Sequence, residues 1–157
     1  MVSDIQEIAE QRERFLDLLL LADPSVAQVQ SYLAQGHLFV FYEHKEACGV
    51  VHLLPQTAAV VEVKNIAIKE EAQGQGYGKR LLQYALDFCQ RQGYERVLVG
   101  TGNSSLNALA FYQKAGFRCL SVRRNFFIDQ YDEPIFENGI QCRDMILLDL
   151  DLRAQIH

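Results

Sequence analysis

The stretch Gln73-Gly74-Gln75-Gly76-Tyr77-Gly78-Lys79-Arg80 sets three glycines at alternate positions, directly before the amphipathic run LLQYALDFC. Few features narrow a fold more. A glycine turn feeding a helix N-terminus presents amides without intrahelical partners at the positive end of the helix dipole, which suits an anion. Glycines also permit positive φ and let a ligand lie against the backbone. Lys79 and Arg80 add positive charge at the same end. A plain turn before a helix would be served by a single glycine.

Two phosphate-binding patterns fail on residues that can be checked. A P-loop needs four residues between its glycines and then Lys-Ser/Thr. Here Gly74 and Gly78 are separated by three residues, and Arg80 follows Lys79. The dinucleotide pattern needs glycine where Lys79 stands.

Hydrophobic spacing organises the remainder. Ile5, Ile8, Phe15, Leu18 and Leu19 predict a helix over ~4–21. Asp23 reads as an N-cap with Pro24 at the first helical position, opening a short helix that ends at Gly36. HLFVFYE (37–43) and ACGVVHLLP (47–55) read as antiparallel strands around His44-Lys45-Glu46, and 58–68 as a third strand. The helix after the glycine loop runs to about Gln92, with Leu81, Leu82, Ala85, Leu86 and Cys89 on one face. RVLVGT (96–101) is a buried-type strand, and Ser104 or Ser105 caps a helix to Ala115 that Gly116 stops. Strands over 117–128 and 140–150, joined by DQYDEPIFENG, complete the order α-α-β-β-β-α-β-α-β-β. That is an α/β (α+β) chain, a mixed sheet with helices packed on it. With 157 residues it reads as a single domain over 1–157.

Gln73-Gly74-Gln75-Gly76-Tyr77-Gly78 matches Gln/Arg-x-x-Gly-x-Gly/Ala, after the strand NIAIKEEAQ and before KRLL. It resembles the acetyl-CoA motif of the GNAT superfamily of N-acetyltransferases. ALAFYQKAGF (108–117) resembles that superfamily's second signature, a helix-borne Tyr followed by Lys-x-Gly-Phe. The likeness covers residues 37–128, while the family's usual first strand is not evident before Ser3. It implies a mostly antiparallel central sheet flanked by helices, with acetyl-CoA as cosubstrate. The diphosphate is expected on the backbone of Gly74, Gln75, Gly76, Tyr77, Gly78 and Lys79, beside Gln73. Seven residues before Tyr112 the family often has Asn; here Ser105 stands, between Asn103 and Asn107, and one of these three is expected to touch the cofactor.

The pantetheine arm is peptide-like and can pair with a strand edge, which Ile66, Ala67 and Ile68 offer. In the family a bulge there splays this strand from the next. An amide at Ile66 or Ala67 would polarise the thioester carbonyl. Tyr112 is the expected acid for the leaving thiolate. Glu62, four residues before Ile66, is the expected base, with His52 a rival.

The acceptor is approached through charge. Asp129, Asp132, Glu133 and Glu137 share the loop 129–137 with no Lys or Arg, and Tyr131, Phe126, Phe127 and Phe136 could supply an apolar floor. Asp132, Glu133 and Tyr131 are therefore the candidate acceptor-binding residues. The expected substrate is a primary amine, small and cationic: a polyamine or an aminoglycoside-like compound, with a lysine side chain also fitting an acidic wall. A protein or peptide amine is the alternative, as is a non-catalytic acyl-CoA sensor. A toxin acting on aminoacyl-tRNA would want a basic cleft; the net charge of −5 argues against nucleic acid.

MVSDIQEIAEQRERF has no basic region before an apolar run, so it does not read as a signal peptide. Asp17 interrupts the apolar run Phe15–Ala22, which is too short to span a bilayer. Cys48, Cys89, Cys119 and Cys142 lack CxxC spacing and read as reduced core residues of a cytoplasmic protein, with no metal. By analogy a homodimer is open.

Overall fold

A computed structural model describes residues 4–153. They fall into two compact units, one ending at Tyr94 and the other beginning at Glu95.

The first unit contains β1 (Asp4–Ile8), a 3-10 turn (Arg12–Phe15), α1 (Leu16–Ala22), α2 (Val26–Tyr32), β2 (His37–Glu43), β3 (Glu46–Pro55), β4 (Val60–Ile68), and α3 (Tyr77–Arg91). Its strands pair antiparallel in the order β1-β2-β3-β4. β2 is buried on both faces, so its sequence is a continuous apolar run. Leu38 and Val40 pack with Val50 and Ala67 against Leu19, Val29 and Tyr32 of α1 and α2. Phe39 and Phe41 turn to the opposite face, where Phe39 meets Tyr84 and Phe88 of α3 at 5.4 and 4.9 Å, and Phe41 meets Tyr77 at 4.8 Å. The hairpin turn is His44-Lys45, both with positive φ and neither a glycine.

The expected helix over ~4–21 is corrected. Asp4–Ile8 is the edge strand β1, paired from Asp4↔Tyr42 to Ile8↔Leu38, and helix begins only at Leu16. A first strand is thus present, but it follows Ser3 rather than preceding it. Ile5 and Ile8 are three apart, a helical spacing that puts them on opposite faces of a strand, and an edge strand that buries only Ile8 leaves no alternation to read. Ser25, not Asp23, is the N-cap of α2: its Oγ accepts from the Gln28 amide at 3.2 Å, while Asp23 accepts from the Ser25 amide at 3.3 Å. Arg12 closes the far end of α2, its guanidinium donating to the carbonyls of Leu33 (2.9 Å), Gln35 (2.7 Å) and Gly36 (2.9 Å) and to that of Ile8 (3.0 Å). No local pattern announces that role.

The second unit contains β5 (Arg96–Gly102), α4 (Leu106–Lys114), β6 (Arg118–Arg123), α5 (Phe126–Gln130), β7 (Ile135–Glu137), β8 (Ile140–Cys142) and β9 (Met145–Asp151). β9 lies between β5 and β6, antiparallel to both. The two expected final strands are each shorter. The first ends at Arg123, because Asn125 turns left-handed (φ 65°) and its amide is held by Asp144 Oδ1 at 2.8 Å. The second splits into β8 and β9. Between them the expected loop holds the β7–β8 hairpin, closed by Asn138-Gly139 with φ 55° and 75°. Asn-Gly is a strong hairpin signal, and it closes this one.

The cysteine expectation needs one correction. Cys48, Cys89 and Cys142 are buried, but Cys119 is exposed because every residue of β6 is. Among the described residues no helix is long and apolar enough to cross a membrane.

Candidate active site

β4 carries an irregularity. His52 of β3 pairs with Asn65 and Leu53 with Val63, so Lys64 is an extra residue without a partner on β3. Such bulges re-aim side chains. Lys64 and Asn65, adjacent in sequence, therefore both turn toward Tyr32 of α2. Lys64 Nζ lies 5.6 Å from the Tyr32 ring centroid, and Asn65 Nδ2 donates to the Tyr32 hydroxyl at 2.9 Å. Asn65 also donates to the Leu19 carbonyl at 2.9 Å. Burial pushes the Tyr32 phenol up to about 12, so it stays protonated and donates, at a long 3.5 Å, to Asp23 Oδ2. Glu62 joins this face: Lys64 Nζ lies 3.8 Å from its Oε2, and Gln56 Nε2 donates to its Oε1 at 3.1 Å.

Beyond the bulge the register is regular. Ile66, Ala67 and Ile68 pair with Val51, Val50 and Gly49. His52 is fully buried. Its Nε2 meets the Gln35 carbonyl at 2.7 Å and so carries a proton to donate, while Nδ1 has no partner. Burial pushes the imidazole down to about 4. It is a buried, neutral group packed against Tyr32, which is a core histidine's environment rather than a cleft base's.

The glycine loop leads from β4 into α3. Gln73 Nε2 donates to the Ile68 carbonyl at 2.9 Å and ties the loop to the strand end. Gly74 and Gly76 have φ of +80° and +81°, and a Cβ on either would meet nothing within 4 Å. Their conformation demands glycine, and the space beside them is open. Gly76 is the N-cap of α3, which has no side-chain cap, so the first helical amides, from Tyr77, Gly78 and Lys79, have no bond from that cap. Gln75 and Lys79 are exposed there. The Tyr77 side chain is spent inside the fold: its hydroxyl donates to Glu43 Oε2, which pushes the phenol up. Gly78 sits in the first turn of α3 and has no positive φ, so its missing side chain has no conformational cause. Uncapped amides, open space and nearby cations fit a diphosphate.

In the second unit, Tyr112 is buried on α4 against Phe111 and Phe117, at ring separations of 5.2 and 5.6 Å, and burial pushes its phenol well above the usual range. Of the three candidate amide or hydroxyl contacts to the cofactor, two are held by the protein. Asn103 Oδ1 accepts from the amides of Arg143 (2.8 Å) and Asp144 (2.9 Å), and its Nδ2 donates to the Gln141 carbonyl at 3.2 Å. Ser105 donates to Glu137 Oε1 at 2.7 Å, with Ser104 on the same oxygen at 3.3 Å. Asn107 stands exposed on α4. Glu137 is thus committed to the start of α4, while Asp132 and Glu133 are exposed and Tyr131 packs on Phe127 at 5.6 Å. Among the described residues no group of three or more His, Cys, Asp or Glu could hold a metal.

The model of the Acetyltransferase (GNAT) family matches residues 5–117. Over 143 residues the chain is 46% identical to the uncharacterised N-acetyltransferase YvbK of Bacillus subtilis (strain 168), covering 91% of this chain and 92% of that one. A GNAT acetyltransferase of Elizabethkingia anophelis, solved with acetyl-CoA bound, superposes with a TM-score of 0.92 at 42% identity, covering 95% of this chain and 97% of its own. An IAA acetyltransferase of Bacillus cereus ATCC 14579 reaches a TM-score of 0.89 at 42% identity, over 96% and 99% of the two chains. The chain belongs to the GNAT acetyltransferase family. It is an acetyl-CoA-dependent acyltransferase, with the mixed, mostly antiparallel sheet flanked by helices that the motifs implied.

Proposed function

We propose that the enzyme acetylates a primary amine by direct attack on the thioester, with Glu62 as base and Tyr112 as acid. The observation that carries the reading is the environment of Glu62. Its carboxylate is held beside a primary ammonium, that of Lys64, at 3.8 Å, on the strand that leads to the glycine loop. A carboxylate so placed takes the proton that an ammonium must lose before its nitrogen can attack. The amide of Ile66 or Ala67 polarises the carbonyl, and the α3 N-terminus with Gly74, Gly76 and Gly78 holds the diphosphate. Tyr112, protonated at every working pH, donates to the thiolate. Asn107, the exposed member of its trio, supplies the amide contact to the cofactor.

The acceptor is a small cationic amine. Exposed Asp132 and Glu133 would concentrate cations. The two units form one cytoplasmic N-acetyltransferase domain over 1–157, a reading supported by a family match that runs from one unit into the other.

Thiol release across a panel of polyamines, aminoglycosides and peptide amines tests this. A cationic small amine should be preferred, and Asp132→Asn with Glu133→Gln should raise its KM at low salt but not at high salt. Glu62→Gln should cut kcat by roughly 10²-fold or more. Silence across the whole panel would leave a sensor module, and undiminished turnover in Glu62→Gln would return that carboxylate to the surface.

A further inference from the structure

We propose that Lys64 is an acetylation site of its own enzyme, its ε-amine occupying the position that an acceptor amine takes beside Glu62. The proposal rests on Glu62 serving as the base. The bulge is the structural cause: as the extra residue of β4, Lys64 is not committed to the alternation of the strand and turns onto the face of its neighbour Asn65. Its ammonium then meets both groups that recognise an alkylammonium ion, a carboxylate at 3.8 Å and the ring face of Tyr32 at 5.6 Å. Neither partner is sealed off, since the Lys64 side chain is 32% and the Glu62 side chain 18% accessible.

The other lysines are placed differently. Lys69 is paired with Glu46 at 2.8 Å, and Lys45, Lys79 and Lys114 are exposed. Lys64 is two residues from Ile66, about 7 Å along a strand, and its four-carbon stem spans much of that.

In the reaction Glu62 takes one proton from the ammonium, and Lys64 Nζ adds to the acetyl carbonyl carbon. The carbon–sulfur bond breaks, the thiolate takes up a proton, and the nitrogen loses its second. One ammonium and one thioester give one acetamide, one thiol and one released proton. The product stays tethered, so each chain turns over once at Lys64, and Glu62 loses its ion-pair partner.

The test incubates the purified chain with isotopically labelled acetyl-CoA and no other amine, and reads each lysine by peptide mass spectrometry. Lys64 should be labelled at least tenfold faster than Lys45, Lys79 and Lys114, at a rate independent of protein concentration. In Glu62→Gln that advantage should vanish. Lys64→Arg should abolish the label at position 64. Labelling of Lys64 no faster than the exposed lysines, with amine-dependent thiol release intact, overturns the self-acetylation and leaves the enzyme reading standing. Labelling that persists in Glu62→Gln also overturns it. Absence of both labelling and thiol release overturns the two together.

Discussion

Asn65 on β4 donates to the hydroxyl of Tyr32 on α2 at 2.9 Å, joining residues 33 apart in sequence. The same amide reaches the Leu19 carbonyl, so one side chain anchors both N-terminal helices to the strand that carries Glu62.

Asn65→Ala breaks both bonds and leaves the Leu19 carbonyl and Tyr32 hydroxyl without that donor. A net bond is about 1 kcal/mol and a stranded buried partner about 1–3, so unfolding free energy should fall by about 2–4 kcal/mol. Urea titration measures it; a loss under ~0.5 kcal/mol would show that solvent replaces the amide freely.

Stability should fall in mild acid through His52. Burial lowers its pKa from the ordinary 6.5 to about 4. Unfolded, the ring takes a proton near its ordinary pKa; folded, it does so only near the lower one. Its contribution is therefore present above pH 6.5 and is lost as pH falls toward 4, reaching about 3 kcal/mol at one pKa unit per 1.36 kcal/mol. Urea titrations of the wild type and His52→Gln, compared between those limits, isolate the contribution. Parallel pH curves would assign the dependence to other groups.

The glycines separate conformation from ligand. Gly76→Val forces a branched residue to φ +81°, so it should lose roughly 1–2 kcal/mol of stability as well as acetyl-CoA affinity. Gly78→Val faces no such strain inside α3, and valine is no worse a helix former than glycine. It should stay as stable as the wild type and bind acetyl-CoA at least tenfold more weakly by calorimetry. Full affinity in folded Gly78→Val would remove the diphosphate from this turn.

Tyr112→Phe keeps the packing against Phe111 and Phe117 and deletes one hydroxyl. If that hydroxyl protonates the thiolate, kcat drops by roughly 10²–10⁴-fold while acetyl-CoA affinity hardly moves. A wild-type kcat would make Tyr112 a core residue only.

What the chain alone determined was whatever its neighbours in sequence control. The alternating glycines, the amphipathic face of α3 and the apolar strands β2, β3 and β5 were legible because positive φ, helical period and burial are written within a few residues. Those same motifs carried the family. Tertiary structure decided where one segment depends on a distant one. β1 is a strand because β2 offers it an edge, not because DIQEI prefers to be one. Arg12 binds carbonyls just past a helix end more than twenty residues on, and Asn125 turns because Asp144 holds its amide. The bulge at Lys64 arises only in the pairing of β3 with β4, yet it turns Lys64 and Asn65 onto one face. A single strand read alone alternates its side chains; only a partner one residue shorter makes two successive ones point the same way.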